Sequence, residues 1–480
     1  MGAPAGPVAA RTVGGMRTER VSQVVLLAWA GVVLVGALAL FAAEVLVGPG
    51  GVRGDGARPA PGAVARAGAS VEAGAGASVP DLEALIGDRE AWLRRYPGDD
   101  ASWAVLGAAY AERGVRAGDP AAYPRAERAL RRSLAIRPAA RGNADAAVGM
   151  GVLAQARGDF AAARRWAEEA RRRQPRAWRA EALLVDAYRG LGDDAAAGKA
   201  LERLRKLRPA DAAALSRAVG LYRDRGWRED AEALAHDAVA RARTPVERAA
   251  CLARLGDLLW ERGLPREALA RYAAALRAVP GDAPSLAGRA RALAALGRTD
   301  EAVGAYGAAW AARPLPEYAL EAGDLYAALG RDAEARERYE AALERAAEAA
   351  GHGVDRSLVR ARYEAEHGEP DRAVARLRAR WRLGHRSADV ADALGWALLR
   401  AGRAREALPY ARAATDRGVR SALFAYHRGE VERALGRTGP ARRQLEEALR
   451  INPYFSPLHA PGARRALAAL GEPSGPPPER

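Results

Sequence analysis

The sequence GDFAAA at residues 158–163 recurs as GDDAAA at residues 192–197 and, with the same first and last residues, as GWREDA at residues 226–231. The three segments are evenly spaced along the chain. The glycine series then continues at Gly263, Gly297, Gly330, Gly368, Gly402 and Gly436, and an alanine follows each of the nine glycines five positions later. A nearly fixed period of this length predicts an array of stacked units, in which each unit buries its apolar face against its neighbours.

The two small residues of each unit have different predicted roles. The glycine lies between two helical segments, where the chain must turn and a positive φ is often needed. The alanine lies where the second helix crosses the first, and a larger side chain there would push the helices apart. A second series of glycines inside the first helix indicates close helix contact, because glycine in a helix otherwise costs about 0.5–1 kcal/mol. This series is Gly107, Gly151, Gly256, Gly323, Gly395 and Gly429.

The first unit carries further motif residues. They are Trp103, Leu106, Gly107 and Tyr110 in the order W-x2-L-G-x2-Y, followed by Ala126, Leu130 and Pro138. This pattern resembles the tetratricopeptide repeat, a helix–turn–helix unit of about 34 residues. The resemblance extends over about ten copies in residues 99–453. It implies an all-α, right-handed α-solenoid of about ten helical hairpins with a capping helix at each end.

The segment Val24–Ala43 contains no charged residue. A helix of about 20 residues, at about 1.5 Å per residue, spans about 30 Å, the thickness of a bilayer core. Arg11, Arg17 and Arg20 precede the segment, which predicts a single-pass protein of the cell membrane with a cytoplasmic N-terminus and an extracytoplasmic array. A cleaved secretory signal with a site near Ala37–Ala39 is the alternative interpretation.

The predicted organisation has seven parts. They are a cytoplasmic tail at 1–23, the transmembrane helix at 24–43, a disordered Gly-, Ala- and Pro-rich linker at 44–80, an N-terminal capping helix at 81–98, the array at 99–453, a C-terminal capping helix at 454–470 and a disordered tail at 471–480.

The sequence offers no constellation for catalysis. Cys251 is the only cysteine, and its position in a helix is typical of a buried apolar residue. The six histidines are scattered, without the spacing of a zinc site. We therefore predict a protein that is not an enzyme, with no catalytic, metal or cofactor site.

Tetratricopeptide arrays bind partners on the concave face, which the first helix of each unit lines, so the resemblance implies a protein or peptide partner there. Trp260 and Trp396 are the strongest candidate anchors, because tryptophan in a groove contributes strongly to binding; burial against the next unit is the alternative for each. The full predicted set is Asp186, Arg189, Arg223, Asp257, Trp260, Arg291, Asp324, Arg362, Asp392, Trp396, Tyr426, Glu430 and Arg433.

The formal net charge is +16, and two arginine clusters lie at Arg171–Arg173 with Arg176, and at Arg376, Arg378, Arg380 and Arg382. An alternative function follows from them, the binding of an anionic polymer such as nucleic acid or an envelope polymer. We favour a solvated surface, which makes nucleic acid the weaker hypothesis. Only two of the 75 basic residues are lysine, a usage that resembles proteins from GC-rich genomes such as those of actinobacteria.

Overall fold

The computed structural model describes Gly2, residues 62–73 and residues 76–471. These residues form 23 α-helices and no strand. The helices are α1 (Ala63–Ala73), α2 (Val79–Arg95), α3 (Asp100–Ala117), α4 (Ala122–Ile136), α5 (Ala144–Ala156), α6 (Phe160–Arg173), α7 (Trp178–Leu191), α8 (Asp194–Leu207), α9 (Ala212–Asp224), α10 (Arg228–Arg241), α11 (Pro245–Glu261), α12 (Pro265–Ala278), α13 (Ala283–Ala295), α14 (Thr299–Ala312), α15 (Pro316–Ala328), α16 (Asp332–Gly351), α17 (Ser357–His367), α18 (Pro370–Arg382), α19 (Ala388–Arg400), α20 (Ala404–Thr415), α21 (Ala422–Ala434), α22 (Thr438–Ile451) and α23 (His459–Ala469).

Helices α3 to α22 pair in sequence order into ten helical hairpins, numbered 1 to 10, each with a first helix A and a second helix B. Each hairpin packs against the next, and all of them belong to one unit of the chain, Pro61–Arg480. The prediction of an all-α array of helical hairpins is therefore confirmed. The handedness of the superhelix stays a prediction.

The repeated GD-x3-A segment explains the turn inside a hairpin. Gly158 has φ +80°, a left-handed conformation that favours glycine, and it ends helix A of hairpin 2. The next residue, Asp159, precedes helix B, and its carboxylate accepts a hydrogen bond from the N–H of Ala162 at 2.8 Å. This is an N-cap, which satisfies one of the free N–H groups at the start of a helix. Eight of the nine glycines in the series have a positive φ, and Gly368 is the exception.

The alanines of the series lie where the two helices of a hairpin cross. All nine are buried, including Ala163, Ala302 and Ala441, which are fully inaccessible. The glycines inside helix A are equally confined, since a Cβ at Gly256 would lie 2.6 Å from the ring of Tyr272. The hairpins thus owe their close packing to small residues, as the periodicity predicts.

Both ends of the array carry additional helices. The N-terminal capping helix predicted at 81–98 lies at Val79–Arg95, where Ser78 accepts from the N–H of Asp81 at 3.2 Å. The C-terminal capping helix predicted at 454–470 lies at His459–Ala469. Of the disordered linker expected at 44–80, residues 44–61, 74 and 75 lie outside the described residues, and the described part differs because α1 occupies Ala63–Ala73. This segment is rich in good helix formers and packs on α2, which buries Ala67.

Three further expectations concern residues that the structure leaves undescribed. The cytoplasmic tail at 1–23, apart from Gly2, and the transmembrane helix at 24–43 lie outside the described residues, as does nearly all of the predicted C-terminal tail. Within the described ranges, no helix combines the length and apolar character needed to cross a membrane.

The array closes on itself along a line of contacts that we call the seam. Along the seam, the turn inside one hairpin contacts the loop that precedes another hairpin, six hairpins later in the chain. This holds for the turns of hairpins 1 to 4. The turn of hairpin 5 contacts the loop that precedes α23, which stands where an eleventh hairpin would begin. The backbone N–H of Asp355 donates to the carbonyl of Arg157 at 2.7 Å, and that of Arg386 donates to Leu191 at 3.1 Å. The side-chain amide of Asn452 donates to the carbonyl of Trp260 at 2.8 Å. Successive turns of the superhelix therefore touch.

Candidate functional site

The A helices of hairpins 2 to 10 line two cavities, which together we call the channel. The first, of about 630 Å³, is lined by arginines and carboxylates, and we call it the charged cavity. The second, of about 470 Å³, is lined in part by Trp260, Trp396 and Phe455, and we call it the aromatic cavity. Arg362 lies on the wall of both, so the two cavities adjoin. Their volumes fall in the range of roughly 300–1,000 Å³ that is usual for ligand sites.

Four of the predicted partner-binding residues lie on the wall of the charged cavity, and each is held by an ion pair. The pairs are Asp186–Arg217 (3.0 Å), Arg189–Asp224 (2.7 Å), Arg223–Glu261 (2.7 Å) and Arg362–Asp389 (3.4 Å). Each pair joins the A helices of two neighbouring hairpins. The pairs fix these guanidinium and carboxylate groups in place before any partner arrives.

Besides Arg362, five predicted residues lie on the wall of the aromatic cavity: Trp260, Arg291, Asp324, Asp392 and Trp396. Trp260 is half-buried. The guanidinium of Arg291 donates to Glu321 at 2.9 Å. The carboxylate of Asp324 accepts from the hydroxyl of Tyr339 at 3.0 Å, and burial raises its pKa.

Trp396 and Asp392 are both buried, which for Trp396 is the alternative stated in the sequence analysis. Trp396 is only 8% exposed, because its ring stacks on His427 at a centroid distance of 4.1 Å and its N–H donates to Glu366 at 2.9 Å. Asp392 is 3% exposed and lies 2.9 Å from Nδ1 of His427. Both residues shape the wall of the cavity, but neither is a free anchor. Of the two tryptophans, Trp260 keeps the more accessible ring.

The other four predicted residues line neither cavity. Asp257 accepts from the hydroxyl of Tyr272 at 2.9 Å. Tyr426 is buried against Trp396 and Phe455, and this burial raises the pKa of its hydroxyl to about 12. Glu430 and Arg433 form an ion pair with each other at 2.6 Å on the surface of α21. The structure gives these four a packing or pairing partner, and a role in partner binding stays a prediction for the whole set.

Several wall residues escaped the sequence analysis. Glu321, Glu366, His427 and His459 line the aromatic cavity, and Tyr306 reaches it from a B helix to donate to Glu321 at 3.1 Å. The tyrosines had a signal in the sequence, since Tyr272, Tyr306 and Tyr339 recur with nearly the period of the glycine series. Each places its hydroxyl on a carboxylate of an A helix, which orients that carboxylate.

Cys251 is buried, and burial raises the pKa of its thiol to about 11, so the reactive thiolate is scarce at neutral pH. Among the residues that the structure describes, no three His, Cys, Asp or Glu side chains are grouped as metal ligands would be.

The arginine clusters are largely engaged within the chain. Arg172 and Arg173 both contact Glu169 on α6. In the second cluster, Arg376 pairs with Glu364 at 2.8 Å, and Arg380 is buried against Asp355. These contacts use much of the charge that an anionic polymer would need.

A model of the family described as "Tetratricopeptide repeat" matches residues 148–212, 253–319 and 393–454. These three segments carry tetratricopeptide repeats. The matched residues cover most of hairpins 2, 3, 5, 6, 9 and 10. Hairpins 1, 4, 7 and 8 have the same alternation of A and B helices, so the array of helical hairpins runs from α3 to α22.

The chain is similar to several solved structures, two of which are described as tetratricopeptide repeat proteins. A thermophilic protein from Thermus thermophilus is 26% identical, and the match covers 38% of this chain and 95% of that chain with a TM-score of 0.33. A protein from Parabacteroides merdae is 19% identical, with 54% and 99% coverage and a TM-score of 0.33. PilF from Pseudomonas aeruginosa is 18% identical, with 41% and 88% coverage and a TM-score of 0.34.

None of the curated proteins matches the chain. The transmembrane segment and the actinobacterial character expected from the sequence find no support in these comparisons and stay predictions.

Proposed function

We propose that this protein is a membrane-anchored scaffold whose tetratricopeptide array binds a segment of a partner protein in the channel. The observation that carries the proposal is the channel itself, two adjoining cavities lined by the A helices of nine consecutive hairpins. Its walls combine ion pairs with half-buried aromatic rings, the mixture that peptide recognition requires.

The seam favours an extended segment as the ligand. Because the turns of hairpins 1 to 5 touch the loops six hairpins further on, the wall between superhelical turns is closed. A partner would enter along the channel and not from the side. An extended chain advances about 3.3–3.6 Å per residue and is much narrower than a helix, whose diameter with side chains is about 10–12 Å.

Trp260 provides the test. Peptides selected for binding to the full-length protein should lose affinity for the Trp260→Ala variant, because truncation of a tryptophan anchor typically costs about 2 kcal/mol or more. Trp92→Ala is the matched control, since Trp92 lies on α2, outside both cavities, and is also partly exposed. Binding is measured by isothermal titration calorimetry. Equal binding by the wild type and Trp260→Ala would contradict the proposal.

The same peptides test the rival function. A variant that replaces Arg171, Arg172 and Arg173 by serine should bind them as the wild type does, since these arginines lie on a B helix outside both cavities. If only this variant loses binding, and moderate salt abolishes binding by the wild type, the anionic polymer becomes the better explanation.

The anchor is proposed from Val24–Ala43, the uncharged run that follows an arginine-bearing tail. It would hold the array at the cell membrane on the extracytoplasmic side. The protein should remain in the membrane fraction after washing with alkaline carbonate. A soluble form that begins near Ala39–Ala43 would indicate a cleaved signal instead.

A further inference from the structure

Three carboxylates on the wall of the aromatic cavity have no arginine partner among the described residues. They are Asp324, Glu366 and Asp392, which come from α15, α17 and α19. In a chain of net charge +16, other carboxylates of the channel pair with a guanidinium, as Asp186, Asp224 and Asp389 do. For these three, only histidine lies within ion-pair distance in the part of the chain that the structure describes. The aromatic cavity therefore presents three carboxylates whose charge no arginine of the described ranges pairs with.

The groups that contact these carboxylates are an indole, a phenol and imidazoles. The first two are uncharged, and an imidazole is uncharged when it is not protonated. Glu366 accepts from the indole N–H of Trp396 at 2.9 Å and lies 3.7 Å from His459. Burial and the neighbouring His427 lower the pKa of His459 to about 4, so its imidazole is neutral at pH 7. Asp324 accepts from the hydroxyl of Tyr339. Such partners orient a carboxylate without cancelling its charge.

The nearby arginines point their donors elsewhere. Arg291 donates to Glu321, and Arg362 pairs with Asp389. Arg400 and Arg464 donate to backbone carbonyls, those of Ala365 at 3.3 Å and Pro453 at 2.6 Å. None of these guanidinium groups donates to Asp324, Glu366 or Asp392.

His427 supplies an independent observation. It lines the aromatic cavity and is only 6% exposed. Its Nδ1 faces the carboxylate of Asp392, which favours the tautomer with the proton on Nδ1, and its Nε2 has no hydrogen-bond partner among the described residues. A buried polar atom without a partner is costly unless a ligand or water satisfies it. In this tautomer Nε2 is an acceptor, so it requires a donor.

Aromatic rings complete the wall. The rings of Trp260, Tyr306, Trp396 and Tyr454 line the cavity between these acceptors. The face of an aromatic ring attracts a cation, most strongly when the cation is desolvated. Acceptors and ring faces together match a group that carries several N–H donors and a positive charge.

We propose that the aromatic cavity holds a basic side chain, arginine or lysine, of the protein segment that binds in the channel. This inference rests on the proposed function, because the side chain arrives as part of that segment. The carboxylates of Asp324 and Glu366 receive its N–H groups, and Trp260 covers its aliphatic stem. Arginine fits best, since its planar fork presents five donors and stacks on aromatic rings.

The test uses two blocked pentapeptides that differ in one group. Each has two glycines on either side of a central residue, which is arginine in the first peptide and citrulline, its neutral isostere, in the second. Calorimetric titration of the full-length protein should show binding of the arginine peptide at least tenfold tighter than that of the citrulline peptide. Equal affinity for the two peptides would overturn the inference.

The paired variants locate the site. The double variant Asp324→Asn with Glu366→Gln keeps acceptors for Tyr339 and Trp396 but removes two charges, and we expect it to lose tenfold or more in affinity for the arginine peptide. Glu168→Gln is the matched control, because Glu168 also accepts from a tyrosine, Tyr188, at 2.9 Å, but lines neither cavity. Unchanged melting temperatures confirm that the variants are folded. Loss of binding in the control variant alone would overturn the inference.

Two further outcomes separate this inference from the proposed function. One outcome is that the peptides selected for binding to the full-length protein require Trp260 while the arginine peptide does not bind. In that case the channel binds a partner, and the proposal that the aromatic cavity holds a basic side chain is wrong. If free arginine amide binds as tightly as the pentapeptide, the cavity serves a small cation, and the assignment to a protein segment is overturned.

Discussion

The imidazole of His385 is buried in the loop that precedes hairpin 9, beside the seam. Its ring lies 6.0 Å from that of Phe160, and its Nδ1 has no hydrogen-bond partner among the described residues. Burial and the positive charge of Arg380 lower the pKa of His385 to about 4, although Asp159 acts in the opposite direction. In the unfolded chain the pKa of a histidine is about 6.5.

These two pKa values predict a stability that depends on pH. Between about pH 6.5 and pH 4 the unfolded chain binds a proton at His385 that the folded chain does not, so the free energy of unfolding falls as the pH falls. Above about pH 6.5 the side chain has no such effect. From pH 7 to pH 5 we expect His385 to contribute a loss of about 1–2 kcal/mol.

Denaturant unfolding at pH 7 and pH 5 measures this contribution. The His385→Gln variant should lose less stability between the two pH values than the wild type loses. His236→Gln is the control, because His236 is exposed on α10. A His385→Gln variant with the pH dependence of the wild type would contradict the assignment.

At the scale of single elements, the turns inside the hairpins fall into two groups. The turns of hairpins 1 to 5 lie on the seam. The turns of hairpins 6 to 10 do not, and we call them the free turns. A Cβ added at the turn glycine would meet open space in four of them, at Gly297, Gly330, Gly402 and Gly436. The residue after the glycine differs accordingly. On the seam it is Asp119, Asp159, Asp193, Trp227 or Leu264, and at the free turns it is Arg298, Arg331, Glu369, Arg403 or Arg437. A large, charged arginine suits a turn that faces solvent.

Gly226 and Gly330 make a matched pair for a stability experiment. Both have a positive φ, +76° and +70°, so alanine strains the backbone at either position by roughly 1–2 kcal/mol. A Cβ at Gly226 would in addition overlap the carbonyl oxygen of Gly418 across the seam. We expect Gly226→Ala to cost about 1–3 kcal/mol more than Gly330→Ala, the usual range for overpacking. Thermal and denaturant unfolding give the two values, and equal losses would mean that the seam does not form there.

At the scale of the whole molecule, the seam converts an open solenoid into a closed one. Ordinary repeat arrays gain stability only from contacts between neighbours. Here the contacts across the seam join hairpins far apart in the sequence, such as that of Arg228, which donates to the carbonyl of Arg420 at 2.9 Å. The seam should therefore restrict the motion of one superhelical turn relative to the next.

Cross-linking tests this closure in solution. Arg228→Cys with Arg420→Cys should be joined within one chain by a short bismaleimide linker, and the buried Cys251 should not interfere. The pair Arg228→Cys with Arg331→Cys is the control, since Arg331 follows a free turn in hairpin 7. Equal cross-linking of both pairs, or none in either, would contradict a closed superhelix.

The sequence alone determined the repeat and its local geometry. Gly158 and Ala163 each act through neighbours a few residues away or across one hairpin, so the period of the repeat was sufficient to predict the turn and the helix crossing. The N-cap at Asp159 is equally local but was not predicted. The period likewise assigned nine of the thirteen candidate residues to A helices that line the channel. The ordered α1 was missed, because its burial depends on packing against α2.

Only the tertiary structure decided where the array meets itself and which candidates are free. In the seam, the turn of a hairpin contacts the loop before the hairpin six places later. This register depends on the small rotation between neighbouring hairpins, added over six hairpins, and no single repeat encodes it. The burial of Trp396 also depends on the tertiary structure, because its ring stacks on His427 of the next hairpin. Among the described residues, Glu366 has no arginine partner because the neighbouring guanidinium groups donate to other acceptors; these groups belong to Arg291, Arg362 and Arg400. Spacing along the chain fixes the helix that a residue occupies, but contacts between distant hairpins fix what its side chain can do.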